Sequence, residues 1–261
     1  MRQDTDIPKI IYYTNELEDE FSEAVITPRK IDGNYDYEGR ILRKIGRGFW
    51  YFVLAKPLAF LFLKLKFRHK IVNKSCMKQA PNTGFFLYGN HTNAIADALI
   101  PTMVGHPASV YVIVHANNVS MPILGKITPS LGAIPLPDDK EAVKHFNITI
   151  SNKIAAGKCV AIYPEAHIWP YCTWIRNFKD SSFRYPVQYN TPVYCFTNTY
   201  QKRKNSKTPQ IVTYVDGPFY PKESLSSREQ RQQLRNQVYD IMCERSKNNN
   251  VKLVQYIKKE E

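Results

Sequence analysis

A series of short apolar runs, each closed by glycine, proline or a polar cluster, most constrains what this chain can become. They are Gly84–Gly89, Ser109–Val114, Leu131–Leu136, Cys159–Tyr163, Pro192–Thr197 and Ile211–Val215. Runs this short and this rich in β-branched and aromatic residues suit buried strands. Helical patterns fall between and after them. Ala98–Pro101 reads as a short helix stopped by proline. Asp138–Ala156 sets Ala142, Val143, Phe146, Ile150 and Ile154 at three- and four-residue steps and ends at Gly157. Ser226-Ser227-Arg228-Glu229 is a capping box that opens a last helix through about Arg245. Strand–helix alternation of this kind predicts an α/β fold, a mixed sheet of about seven strands flanked by helices. The basic stretch Gln201–Lys207 suits a solvated hairpin tip.

Polar residues gather where two of these runs end, the place where an α/β scaffold leaves backbone open and reactive groups collect. The first run leads into Asn90-His91-Thr92-Asn93-Ala94-Ile95-Ala96-Asp97. Imidazole is the usual base near neutral pH, and a nearby carboxylate can hold its second nitrogen and fix its tautomer. The run Cys159–Tyr163 leads into Pro164-Glu165-Ala166-His167. Proline holds Glu165 out of the strand, and His167 reads as a second base, a substrate ligand or a loop residue. Downstream, Arg176, Lys179 and Arg184 alternate with Phe178, Phe183 and Tyr185, a mixture suited to phosphates beside an apolar surface.

Residues 1–38 are polar and acidic and read as an extended arm, with no signal peptide. Residues 39–70 differ from the rest. Arg40, Arg43, Lys44 and Arg47 precede an apolar stretch from Phe49 to Leu65, and Lys66, Arg68, His69 and Lys70 follow it. As one straight helix that stretch would measure about 26 Å, short of a hydrocarbon core of about 30 Å. Lys56-Pro57 interrupts it, so the sequence favours two amphipathic helical pieces lying in, or dipping into, one leaflet, with basic residues on headgroup phosphates, over a helix packed on the soluble core or a full transmembrane span. The remaining residues, 71–261, form the α/β domain. A net charge of +13, from 36 basic and 23 acidic residues, calls for an anionic partner. The basic residues flank an apolar segment rather than striping one helix, which speaks for lipid and against nucleic acid. Five scattered cysteines without CxxC spacing fit a reducing compartment and neither a disulfide framework nor a zinc site.

In order, the chain carries Asn90-His91 with an acid soon after, Leu131-Gly132-Ala133-Ile134-Pro135-Leu136, Tyr163-Pro164-Glu165-Ala166-His167 and Thr191-Pro192-Val193-Tyr194-Cys195-Phe196. Together they resemble the lysophospholipid/glycerolipid acyltransferase family, the bacterial 1-acylglycerol-3-phosphate acyltransferases in particular, over about residues 40–245. The resemblance implies that His91 is the general base and Asp97 its orienter. It implies an acyl-CoA or acyl-carrier protein co-substrate, no covalent intermediate, no metal and no further cofactor. Glu165, with His167 nearby, would bind the acceptor headgroup, and the membrane lipids themselves would be partners at the cytoplasmic side of the cell membrane. Three departures accompany it. Five residues rather than four separate His91 from Asp97. Pro137-Asp138-Asp139-Lys140 stands where the family has a phosphate-binding arginine, so Lys140, Arg176, Lys179 or Arg184 would take that role. Ala166-His167 replaces Gly-Thr. Two other readings stay open: an acceptor that is an amine or lacks phosphate, and a non-catalytic basic membrane-binding protein.

Overall fold

The computed structural model describes residues 8–21, 26–39, 48–79 and 83–259. The strands are β1 (Lys9–Tyr13), β2 (Lys70–Val72), β3 (Phe85–Gly89), β4 (Val110–Val114), β5 (Ala133–Pro135), β6 (Cys159–Ile162), β7 (Val193–Arg203), β8 (Ser206–Phe219) and β9 (Val254–Lys258). The helices are α1 (Gly48–Phe67), α2 (Ala96–Val104), α3 (Leu124–Leu131), α4 (Lys140–Ala155), α5 (Arg184–Tyr189) and α6 (Ser227–Ser246). Seven strands form one sheet in the order β2-β8-β7-β3-β6-β4-β5. All neighbours are parallel except β7 and β8, which make an antiparallel hairpin turning over Lys204-Asn205. The mixed sheet flanked by helices predicted from the sequence is thus present.

β3 lies at the centre and every one of its residues is buried. Its side chains alternate between two cores, as the pleat requires. Phe85 and Leu87 meet Ala59, Leu63 and Phe67 of α1 and Ile100 and Val104 of α2. Phe86 and Tyr88 meet Phe146 and Ile150 of α4 and Leu234 and Val238 of α6. A strand covered on both faces needs no polar alternation, which is why the run is continuously apolar.

Several elements differ instructively from their prediction. In α4 the buried positions Ala142, Phe146, Ile150 and Ile154 are spaced by four, whereas Val143 faces solvent. The helix starts at the Asp139 cap, whose side chain accepts from the Ala142 N–H. Pro101 lies within α2 and does not stop it. Within the arm, Lys9–Tyr13 is a strand whose partner the sequence did not name: β1 pairs in parallel with β9 as a separate two-stranded sheet.

The apolar segment is continuous rather than two pieces. Gly48–Ala55 winds as a wide π-helix and Lys56–Phe67 as an α-helix. Pro57 falls in the first turn of the α-wound half, where a missing N–H is tolerated, so it changes the winding without breaking the helix. One side of α1 is anchored by Tyr51, Ala59, Leu63 and Phe67. The other leaves Phe49, Trp50, Leu58, Phe60, Leu61 and Leu65 exposed. Among the described residues α1 is the one helix long and apolar enough, by length and composition, to cross a membrane. Arg40, Arg43, Lys44 and Arg47 lie outside the described residues.

Candidate active site

β3 and β6 are adjacent and parallel, so their carboxyl ends open side by side. His91 follows one and Glu165 the other, and the topology brings the two polar clusters of the sequence together. Asn90 is the joint. Its side-chain amide donates to the Asn198 carbonyl (3.0 Å) and accepts from the Asn198 N–H (2.8 Å), imitating one more rung between β3 and β7.

Asp97 sits in the first turn of α2 with 1% of its side chain exposed. Its Oδ2 accepts from His91 Nδ1 (2.9 Å), Thr92 N–H (2.7 Å) and Asn93 N–H (2.8 Å). Its Oδ1 accepts from Asn198 Nδ2 (3.2 Å). The five-residue spacing is absorbed by this turn. Asn93 spends its side chain on the Ala96 N–H (3.0 Å) and leaves the carboxylate to reach His91. With Asp97 accepting at Nδ1, the imidazole hydrogen sits there and Nε2 keeps its lone pair. The His91 side chain is 17% exposed, enough for a ligand to reach it.

Pro101 has a local consequence. It lacks the N–H that would bond the carbonyl four residues back, that of Asp97. The Tyr163 hydroxyl donates to that carbonyl instead. Burial, with the Asp97 charge adding, holds the Tyr163 hydroxyl well above the ordinary phenol range, so it remains a donor. Its ring then stacks under His91, centroids 4.4 Å apart and planes 18° off parallel.

Glu165 faces inward. Its Oε2 accepts from the His91 N–H (2.8 Å) and from Arg176 Nη2 (3.1 Å), and its Oε1 accepts from the Arg176 N–H (2.9 Å). Both charged side chains of this pair have no exposed surface. The segment after Glu165 holds the other side of the same loop: Trp169 N–H donates to the His91 carbonyl (3.1 Å) and Tyr171 N–H to the Thr92 carbonyl (2.8 Å). Ala166 lies in the left-handed region at φ 64°, where glycine would be unstrained and alanine costs about 1–2 kcal/mol.

Arg176 is buried under Trp169, its guanidinium carbon 4.8 Å from the ring centre. It donates to the His167 carbonyl and, at 3.4 Å, to the Glu16 carbonyl of the arm. The arm also accepts from Trp169 Nε1 at the Asp19 carbonyl (2.7 Å), and Glu20 contacts His167 Nδ1 at 3.3 Å. The structure therefore brings His91, Asp97, Glu165, His167 and Arg176 into one network. Lys140 stands exposed on the first turn of α4, Lys179 exposed beyond Phe178, and Arg184 exposed against Tyr185. The sequence reading missed Tyr163, because a tyrosine inside an apolar run looks like core. It also missed Asn198, although Thr197-Asn198-Thr199 in the buried part of a strand, Val193–Tyr200, is a readable signal, since buried polar groups need partners.

Residues 70–198 match the sequence model of the family described as Acyltransferase. Among solved structures the chain resembles the 1-acyl-sn-glycerophosphate (LPA) acyltransferase PlsC from Thermotoga maritima. The TM-score is 0.56 at 18% identity, over 80% of this chain and 85% of that one. No match is found among curated protein sequences.

Proposed function

We propose that this protein, whose residues 70–198 match the Acyltransferase family model, transfers a fatty acyl group from a thioester, acyl-CoA or acyl-carrier protein, to the hydroxyl of a lysophospholipid or related glycerolipid. The observation that carries the reading is His91 Nδ1 held at 2.9 Å by a buried carboxylate that three further N–H groups fix in place. His91 Nε2 takes the proton of the acceptor hydroxyl. The oxygen attacks the thioester carbonyl, the carbon–sulfur bond breaks, and the imidazolium returns the proton to the departing thiolate. Asp97 holds the tautomer and stabilises the imidazolium. The product is an ester and a free thiol, with no acyl-enzyme.

Glu165 and Arg176 support this chemistry by holding the His91 backbone, and His167 at the rim is the residue we assign to the acceptor. Lys140 and Lys179 contribute general positive charge. One observation favours an acceptor other than a phosphate monoester: Arg176, buried in the same network as His91, is committed to Glu165. We divide the chain into an arm (1–38) that contacts the site through Glu16, Asp19 and Glu20, a membrane-associating segment (39–70) built on α1 and the catalytic domain (71–261). The exposed face of α1 would seat the domain on the cytoplasmic leaflet, where lysolipid and acyl chain partition.

The test is transfer from labelled acyl-CoA and acyl-carrier protein to a panel of lysolipids by the wild type and His91→Ala. A positioned base is worth about 10²–10⁴ in rate, so the variant should lose at least that much at unchanged Tm. Turnover retained by His91→Ala removes the base, and no transfer by the wild type to any acceptor removes the activity.

A further inference from the structure

A line of buried polar groups runs behind Asp97, and beyond its first link, the Asn198 amide, the chemistry above does not use it. Asn198 Nδ2 donates to Asp97 Oδ1 at 3.2 Å. Asn198 Oδ1 accepts from the Thr213 hydroxyl at 2.7 Å, its cross-strand partner in the β7–β8 hairpin. Thr213 Oγ1 lies 2.8 Å from His69 Nε2. Asn198 and Thr213 are fully buried and His69 nearly so.

The direction of the chain is determined at each link. Burial, with Lys64 nearby, pulls His69 down to about 4, so its ring is neutral. Thr213 gives its only hydrogen to Asn198, so it accepts from His69 Nε2–H. Asn198 then has its carbonyl occupied and its amino group turned to Asp97. The opposite orientation would set a carbonyl oxygen against a carboxylate. Asn90 pins the Asn198 main chain from the catalytic loop itself, so the far end of the chain cannot drift from the near end.

We infer that Asn198 is a positioning residue for the His91–Asp97 pair, and that Thr213 and His69 fix its orientation. This rests on the reading of His91 as base. A carboxylate stripped of one donor keeps more of its charge, and an imidazole facing it holds its proton more tightly. Removing Asn198's amide therefore makes His91 harder to deprotonate.

The titratable and charged groups around the pair are Tyr163 beneath the His91 ring, Glu165 with Arg176 on its main chain, Tyr171 and Tyr200 beyond Thr92, and His69 with Lys64 at the far end. The substitutions chosen leave all of them in place. Asn198→Ala and Thr213→Val would be compared with the wild type and His91→Ala in two measurements. In acyl transfer, Asn198→Ala should move the acid limb of the kcat profile up by at least half a pH unit. Its kcat should fall about tenfold, as expected for a weakened orienter, with KM for donor and acceptor within twofold. In a histidine NMR titration without substrate, the His91 midpoint should rise by the same amount. Thr213→Val, which keeps the volume, should shift both in the same direction by less.

An unmoved His91 midpoint with an unmoved acid limb in either folded variant overturns the inference. Should Asn198→Ala fail to fold, Thr213→Val decides on the same readouts. If His91→Ala retains turnover, the base reading falls, and the NMR titration still decides whether Asn198 controls His91.

Discussion

Glu165→Gln separates a carboxylate that organises the site from one that binds substrate. Three N–H groups converge on the two oxygens of Glu165, one of them from the Arg176 guanidinium. Glutamine keeps the shape but offers one acceptor oxygen and an amino group that must face another donor. Arg176 would then be a buried charge without its partner. Breaking such a pair costs about 3–5 kcal/mol, against a total stability of about 5–15 kcal/mol for a typical domain. At roughly 2–4 °C per kcal/mol for a chain of this size, Tm should fall by about 10 °C. kcat should fall with it, because the His91 N–H loses its acceptor. Pairing the change with Arg176→Met should recover part of the lost stability, since both members of the buried pair are then neutral. The assay is thermal unfolding alongside kcat and KM. A Glu165→Gln protein with unaltered Tm and a raised KM for the acceptor would refute the reasoning and make Glu165 a substrate ligand.

Two further outcomes follow from named groups. Burial depresses His69 from 6.5 to about 4, so below pH 6.5 the unfolded chain binds a proton that the folded one refuses. Stability is therefore full above pH 6.5 and falls by roughly 3 kcal/mol as pH drops toward 4. Urea midpoints at pH 7 and 4.5 should show this loss, and His69→Gln should flatten it; an equal loss in the variant removes His69 as its source. On α1, Phe60, Leu61 and Leu65 are each more than half exposed. Changing all three to serine removes about 3 kcal/mol of apolar transfer energy, on the order of a hundredfold in partitioning to anionic vesicles. Vesicle sedimentation unchanged by the triple substitution would sink the bilayer reading. Substitution is the cleaner test here, because deleting residues 1–70 would also remove the arm that contacts Arg176 and Trp169.

Local sequence signals sufficed for six of the strands, for helices α4 and α6 and for the polar residues at the strand ends. Those features are local: β-branched runs, four-residue apolar spacing and a capping box act over a few residues. The sequence also placed His91 and Asp97 together, because both lie within one turn. What it left open depended on residues distant in the chain. The direction in which Glu165 points was decided by Arg176 and by the His91 N–H in the loop after the neighbouring strand β3, and a carboxylate turns toward the donors that burial brings it. Pro101 looked like a helix stop because its missing N–H is a local deficit; the Tyr163 hydroxyl, 62 positions on, supplies what it lacks. The arm read only as an extended segment because its partner strand, β9, comes at the other end of the chain. Asn198 behind Asp97 is the same case. A polar residue in a buried strand announces that it needs partners, and only the tertiary structure, by setting β7 beside β3, names them.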